Sequence, residues 1–126
     1  ANTFGGNPLA CAAGLRTIEL IESGALENAR RMGAYLARRL DALSKEFPHV
    51  GPSHGLGLMQ AVDIRKGRGG PFDQGRRNRI VDAAFQEGLL LLGCGEGGIR
   101  FLPALNILKG HVDAAMLLLR KALRTT

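Results

Sequence analysis

Apolar residues recur three and four apart from residue 26 to residue 47: Leu26, Ala29, Gly33, Leu36, Leu40, Leu43 and Phe47. That period predicts a long amphipathic helix with its arginines outward, ending near Phe47-Pro48. Ahead of it, Asn7 to about Glu22 is small and apolar, with Leu9, Ala12, Ala13, Ile18 and Ile21 available for packing and Ser23-Gly24 as a stop. A first, largely buried helix is expected there. After Pro48 the period shortens to two. Leu56, Leu58, Val62 and Ile64 fall on one face and Met59, Ala61 and Asp63 on the other, which predicts a strand with a glycine-bearing entry. His49 to His54 is a poorer candidate for a short strand before it. Lys66-Gly67-Arg68-Gly69-Gly70-Pro71 reads as a flexible, partly disordered connection. A third helix is expected from about Asp73, with Ile80, Val81, Ala84 and Phe85 inward and Gly88 as its stop. Leu89 to Leu92 then reads as a buried strand, turned by the glycines of residues 93–98 into a second strand, Ile99 to Leu102. From His111 onward, Val112, Ala115, Met116 and Leu119 mark a terminal amphipathic helix. The sum is an α+β domain, a small antiparallel or mixed sheet covered by helices on one face.

At 126 residues the chain suits one small domain with a modest core. No apolar run reaches membrane-spanning length and no signal-like segment opens the chain, so a soluble cytoplasmic protein without membrane contact is expected. Cys11 and Cys94 lie in a helical stretch and a glycine loop, which suggests free thiols in place of a disulfide framework. His49, His54 and His111 are scattered and show no zinc-ligand spacing. The net charge of +6 raises nucleic-acid binding as a possibility. Against it, the arginines come mainly in helical pairs, Arg30-Arg31, Arg38-Arg39 and Arg76-Arg77, with Glu27, Asp41 and Asp82 interleaved. Those pairs read as solvated helix faces. Tyr35 is the only tyrosine and there is no tryptophan, so the stacking platform of a nucleic-acid site is missing.

Three places could carry chemistry. Asn7 is a good N-cap and Pro8 a good first helical residue, so a helix N-terminus faces the Thr3 hydroxyl across a Phe4-Gly5-Gly6 turn. Such an end can hold a phosphate or carboxylate, and it can equally be a capped helix and nothing more. The Gly93-Cys94-Gly95-Glu96-Gly97-Gly98 run could cradle an anion, but it lacks a strand-to-helix context and reads better as a hairpin connection. Arg100 should point opposite to Ile99 and Phe101 in an alternating strand. Its planar fork can hold a carboxylate by two parallel hydrogen bonds, although a lone strand arginine is more often a surface residue or half of an ion pair.

Residues 3–10, Thr-Phe-Gly-Gly-Asn-Pro-Leu-Ala, closely resemble a signature of class III, pyridoxal-phosphate-dependent aminotransferases, the group of the 4-aminobutyrate, ornithine and acetylornithine enzymes. Gly55-Leu56-Gly57-Leu58-Met59, Gly88-Leu89-Leu90-Leu91-Leu92 and Ile99-Arg100-Phe101-Leu102-Pro103 resemble the same family in the same order. The resemblance implies the C-terminal small domain of a fold-type I pyridoxal-phosphate enzyme over residues 1–126, with residues 1–24 as a cofactor loop and linking helix and the large cofactor domain absent. It also implies transfer of an amino group between an amino acid, 4-aminobutyrate or another omega-amino acid among them, and a 2-oxo acid through pyridoxal 5'-phosphate. By the same resemblance Arg100 binds the substrate carboxylate, and Thr3 contacts the cofactor phosphate of the neighbouring subunit in a homodimer with a shared active site. The chain departs from the pattern at Ala104, where the family often has a second proline. Lys45, Lys66, Lys109 and Lys121 match no family lysine, so the chain alone is expected to be inactive, with no catalytic residue and no metal site. Two alternatives stand beside this reading: a racemase or epimerase of the same family, and a stand-alone anion-binding or interaction module.

Overall fold

The computed structural model describes residues 3–126. Asn7 caps the first helix, α1 (Pro8–Leu20), its side chain accepting from the Ala10 N–H at 2.9 Å. The chain passes through one wide turn at Ile21–Ala25, bent where Gly24 takes φ 149°, and continues as α2 (Leu26–Glu46). Contrary to expectation, α1 buries none of its residues, and it packs only on the adjoining turn. Its composition is that of a covered helix, but Leu9, Leu15 and Ile18 face outward because no described residue reaches them.

A hairpin follows α2: β1 (Val50–Leu56) and β2 (Met59–Ile64). The two-residue repeat predicted one strand from Leu56; instead Gly57, at φ 55°, turns the chain, so Leu56 ends β1 and is 87% exposed. Leu58 tucks under the turn against Ala29 and Met32. The less regular His49 to His54 stretch forms most of β1, where a register shift lies between Val50 and Ser53 and the Ser53 N–H donates to Asp41 of α2 at 2.8 Å. The loop expected to be partly disordered is closed at its base. Lys66 N–H donates to Pro71 O, Asp73 N–H to Ile64 O, and the Arg65 guanidinium stacks 4.3 Å over the Phe72 ring.

Asp73 caps α3 (Gln74–Gln86) by accepting from the Arg76 N–H at 2.9 Å, and Gly88 at φ 88° ends it. Ile80 and Ala84 are buried as expected, whereas Phe85 is exposed. The predicted strand over Leu89 to Leu92 is short and late. β3 is Leu92–Cys94, with Leu90 and Leu92 exposed, because Leu89 to Leu91 are spent leaving the helix and reaching the sheet edge. The glycine run is the hairpin connection into β4 (Gly98–Phe101). Helix α4 (Lys109–Arg124) closes the fold.

The four strands form one antiparallel sheet in the order β1-β2-β4-β3. Val62, Ile64, Ile99 and Phe101 point to one face and meet Leu36, Leu40, Leu43, Ile80, Val112, Met116 and Leu119 from the helices in a single core. Polar ties fix α4 on α2: Tyr35 Oη donates to Asp113 at 2.5 Å, and Arg120 Nε donates to Glu46 at 2.8 Å. Among the described residues the other sheet face carries no helix, and Arg100 stands on it.

Candidate functional site

Alternation along β4 decides where Arg100 points. Ile99 and Phe101 are buried under the helices, so Arg100 faces away from them, in one cross-strand row with Ala61 of β2 and Leu92 of β3. No carboxylate pairs with it among the described residues. The other basic side chains of this face are engaged: Arg65 lies 3.4 Å from Asp63 and His54 lies 3.6 Å from the same carboxylate.

Arg100 borders an apolar cleft of about 410 Å3, walled by Leu90, Leu92, Leu102, Pro103 and Ile107 among others. The segment after β4 is tethered from outside, Asn28 Nδ2 of α2 donating to Leu105 O at 2.7 Å and to Ile107 O at 3.0 Å. Ala104, where the family often has a second proline, directly precedes this tethered stretch, and its carbonyl accepts from the Ile107 N–H at 3.0 Å. Arg100 is exposed at the edge of this cleft, and an unpaired, planar cation there suits the carboxylate of a small organic molecule.

Thr3 lies in the exposed turn before α1. Asn7 Nδ2 donates to Phe4 O, Asn7 Oδ1 occupies the Ala10 N–H, Cys11 N–H donates to Asn7 O and Pro8 has no N–H, which leaves the Leu9 N–H and the threonine hydroxyl as neutral donors. These fit the edge of a phosphate. The chain does not bring Thr3 and Arg100 together, because α1 makes no contact with the sheet among the described residues.

The lysines do not fit covalent attachment of a carbonyl cofactor. Lys109 donates to Asp113 at 2.7 Å, and that hydrogen bond, with help from Tyr35, holds its ammonium above the ordinary lysine range, the opposite of an activated amine. Lys121 pairs with Glu87 at 3.1 Å, and Lys45 and Lys66 are exposed on a helix end and a loop. Among the described residues no group of histidines, cysteines and carboxylates could hold a metal ion, and no helix is long and apolar enough to cross a membrane.

One residue near the site runs against the sequence reading. Arg77 was expected on a solvated helix face with Arg76, yet it is 6% exposed. Its spacing of three and seven from Ile80 and Ala84 places it on the inward stripe of α3, a signal legible in the sequence once the helix is drawn.

The sequence model of the class-III aminotransferases matches residues 1–123. The chain belongs to that family. It is 41% identical over 121 residues to the acetylornithine aminotransferase of Gloeobacter violaceus, covering 94% of this chain and 28% of that protein. It is 43% identical over 108 residues to the 4-aminobutyrate aminotransferase of Mycobacterium bovis, covering 83% of this chain and 24% of that protein. Its fold superposes with a TM-score of 0.89 on the PLP-bound amine transaminase of an uncultivated Pseudomonas species, at 30% identity and over 99% of this chain and 29% of that one. The chain thus spans between 24% and 29% of the length of these proteins. The expected α+β fold of a fold-type I aminotransferase is borne out, and the similarity does not favour the racemase or stand-alone alternatives.

Proposed function

We propose that this chain is the C-terminal small domain of a class III aminotransferase that moves an amino group between an amino acid and a 2-oxo acid. Residues 1–24 form its cofactor loop and linking helix, and the large cofactor domain lies outside the 126 residues. The observation that carries the reading is Arg100, a strand arginine free of any described carboxylate at the mouth of an apolar cleft, within the family's Ile-Arg-Phe-x-Pro pattern. Its fork fixes the substrate carboxylate by two parallel hydrogen bonds, with the apolar wall beside it.

Pyridoxal phosphate, when bound, supplies the electron sink for the amino-group chemistry. Thr3 would donate to its phosphate, in the active site of the neighbouring subunit of a homodimer. The protein works in the cytoplasm. Because Lys45, Lys66, Lys109 and Lys121 are all unsuited to hold the cofactor covalently, the 126 residues alone are inactive.

The test uses the longer protein that carries this segment. Arg100→Ala lowers kcat/KM roughly a hundredfold, about 2.7 kcal/mol of transition-state stabilisation, through substrate binding while the visible spectrum of bound cofactor stays unchanged. Thr3→Val has the reverse signature, weakening cofactor retention more than substrate binding. Equal loss of both in either variant, or loss of neither, overturns the assigned roles.

A further inference from the structure

Among the described residues Arg77 is the one ionisable side chain in the buried class, and no described carboxylate pairs with it. Its Nε donates to Asn78 Oδ1 at 2.8 Å and its Nη1 to Gly98 O at 3.2 Å. Gly93 is shaped around it: a methyl group there would stand 2.2 Å from Nη1 and 2.7 Å from Cζ. Gly98 opens β4 and Gly93 is the middle residue of β3, paired with Ile99. The guanidinium therefore grips both strands of one hairpin from the helix side, while Arg100, two residues beyond Gly98, projects from the opposite side.

A buried cation without a counter-charge is a costly way to fill space. A methionine of similar length would fill it without desolvating a charge. What the guanidinium adds is direction, because its donors lie in one plane at fixed angles and accept few positions of the strand they hold. β3 is three residues long, lies at the sheet edge and runs into a glycine-rich turn, so the hairpin has little else to fix it on that side.

We propose that Arg77 is a positioning residue for Arg100: through Gly98 and Gly93 it sets the height and tilt of the β3–β4 hairpin, and with them the place where Arg100 meets a carboxylate. The inference rests on the reading of Arg100 given above. It extends that site through the sheet to a residue on α3.

The experiment titrates the full-length, cofactor-loaded enzyme with a short monocarboxylate, propanoate, followed by the visible absorbance of the cofactor. Arg77→Met weakens propanoate about tenfold, the scale of one charge-assisted hydrogen bond, and leaves cofactor affinity unchanged. Arg77→Lys, which keeps the charge but loses the donor to Asn78, falls between, and serves if the methionine variant does not fold. Gly93→Ala displaces the guanidinium and gives the same loss as Arg77→Met. In Arg77→Ala combined with Gly93→Ala, the second change adds little to the first. Unchanged propanoate binding in Arg77→Met and Gly93→Ala overturns the proposal, and so does a loss shared equally with the cofactor, the mark of a merely structural role. Arg100→Ala is the control. If it leaves propanoate binding intact, the carboxylate role of Arg100 fails first and the inference falls with it; if it abolishes binding while the Arg77 variants do not weaken it, the inference alone fails.

Discussion

His49 shows how much a single side chain can owe to its surroundings. Its Nε2 is buried without a described partner, and burial, followed by the nearby Arg76 charge, holds its pKa below the ordinary histidine value, with Asp73 opposing. The unfolded chain takes up a proton at the ordinary value and the folded chain only at lower pH. The stability associated with neutral His49 is therefore fully present above the ordinary histidine range and is lost as pH falls toward the folded value. Asp113 and Glu46 shift the same way, Asp113 through the hydrogen bond from Lys109 and Glu46 through that from Arg120, but as carboxylates they lose their contribution in a more acidic window. The expected outcome is a melting temperature lower at about pH 5.5 than at about pH 7.5, with the difference reduced in His49→Gln. An undiminished difference in that variant would assign the effect elsewhere. Residues of this kind were hard to read in advance. Arg77 and His49 are polar letters whose burial depends on the partner element facing them, and only their helical or strand spacing hints at it.

At the scale of elements, the α2 stripe was legible because a long helix repeats its message six times over, and Leu36, Leu40 and Leu43 are indeed buried. The hairpin at Leu56 was not, since a two-residue repeat continues in phase through a two-residue turn, and only the glycine at position 57 marks the break. Gly33 holds a second consequence of that turn. A Cβ at Gly33 would lie 2.2 Å from Gly57 O, so the β1–β2 turn rests directly on the backbone of α2. Gly33→Ala forces helix and turn apart and is expected to destabilise the fold by about 1–3 kcal/mol, read as a shift in urea midpoint with little change in slope. Gly110→Ala, where a Cβ would meet nothing within 4 Å, is the matched control and should be nearly neutral or slightly stabilising. The Leu89 to Leu92 run misled for a different reason. Four leucines read as buried whatever their partner, and here the partner of Leu90 and Leu92 is not among the described residues.

Across the whole molecule the apolar surface is unevenly placed. α1 exposes Leu9, Leu15, Ile18 and Leu20, and the sheet side exposes Leu56, Met59, Leu92 and Leu102. Surfaces of this extent on a small chain favour association. The 126 residues alone are expected to self-associate at micromolar concentration, and Leu15→Lys with Ile18→Lys should reduce this by light scattering without altering the helical circular dichroism. Equal association in that variant would point to the sheet face as the sticky surface. The family was legible from four short motifs in order, and so was the fold class. The placement of Thr3 relative to Arg100 was not, for a reason that lies in the bend at Gly24.

That bend acts as a lever. From Gly24 to Pro8 the helix runs about 24 Å, so a rotation of about 20° at one glycine sweeps the Thr3 turn through about 8 Å, while α2 and the sheet stay still. The distance between the Thr3 turn and the sheet face that bears Arg100 is therefore geared to a single torsion, and whichever surface clasps α1 fixes that distance.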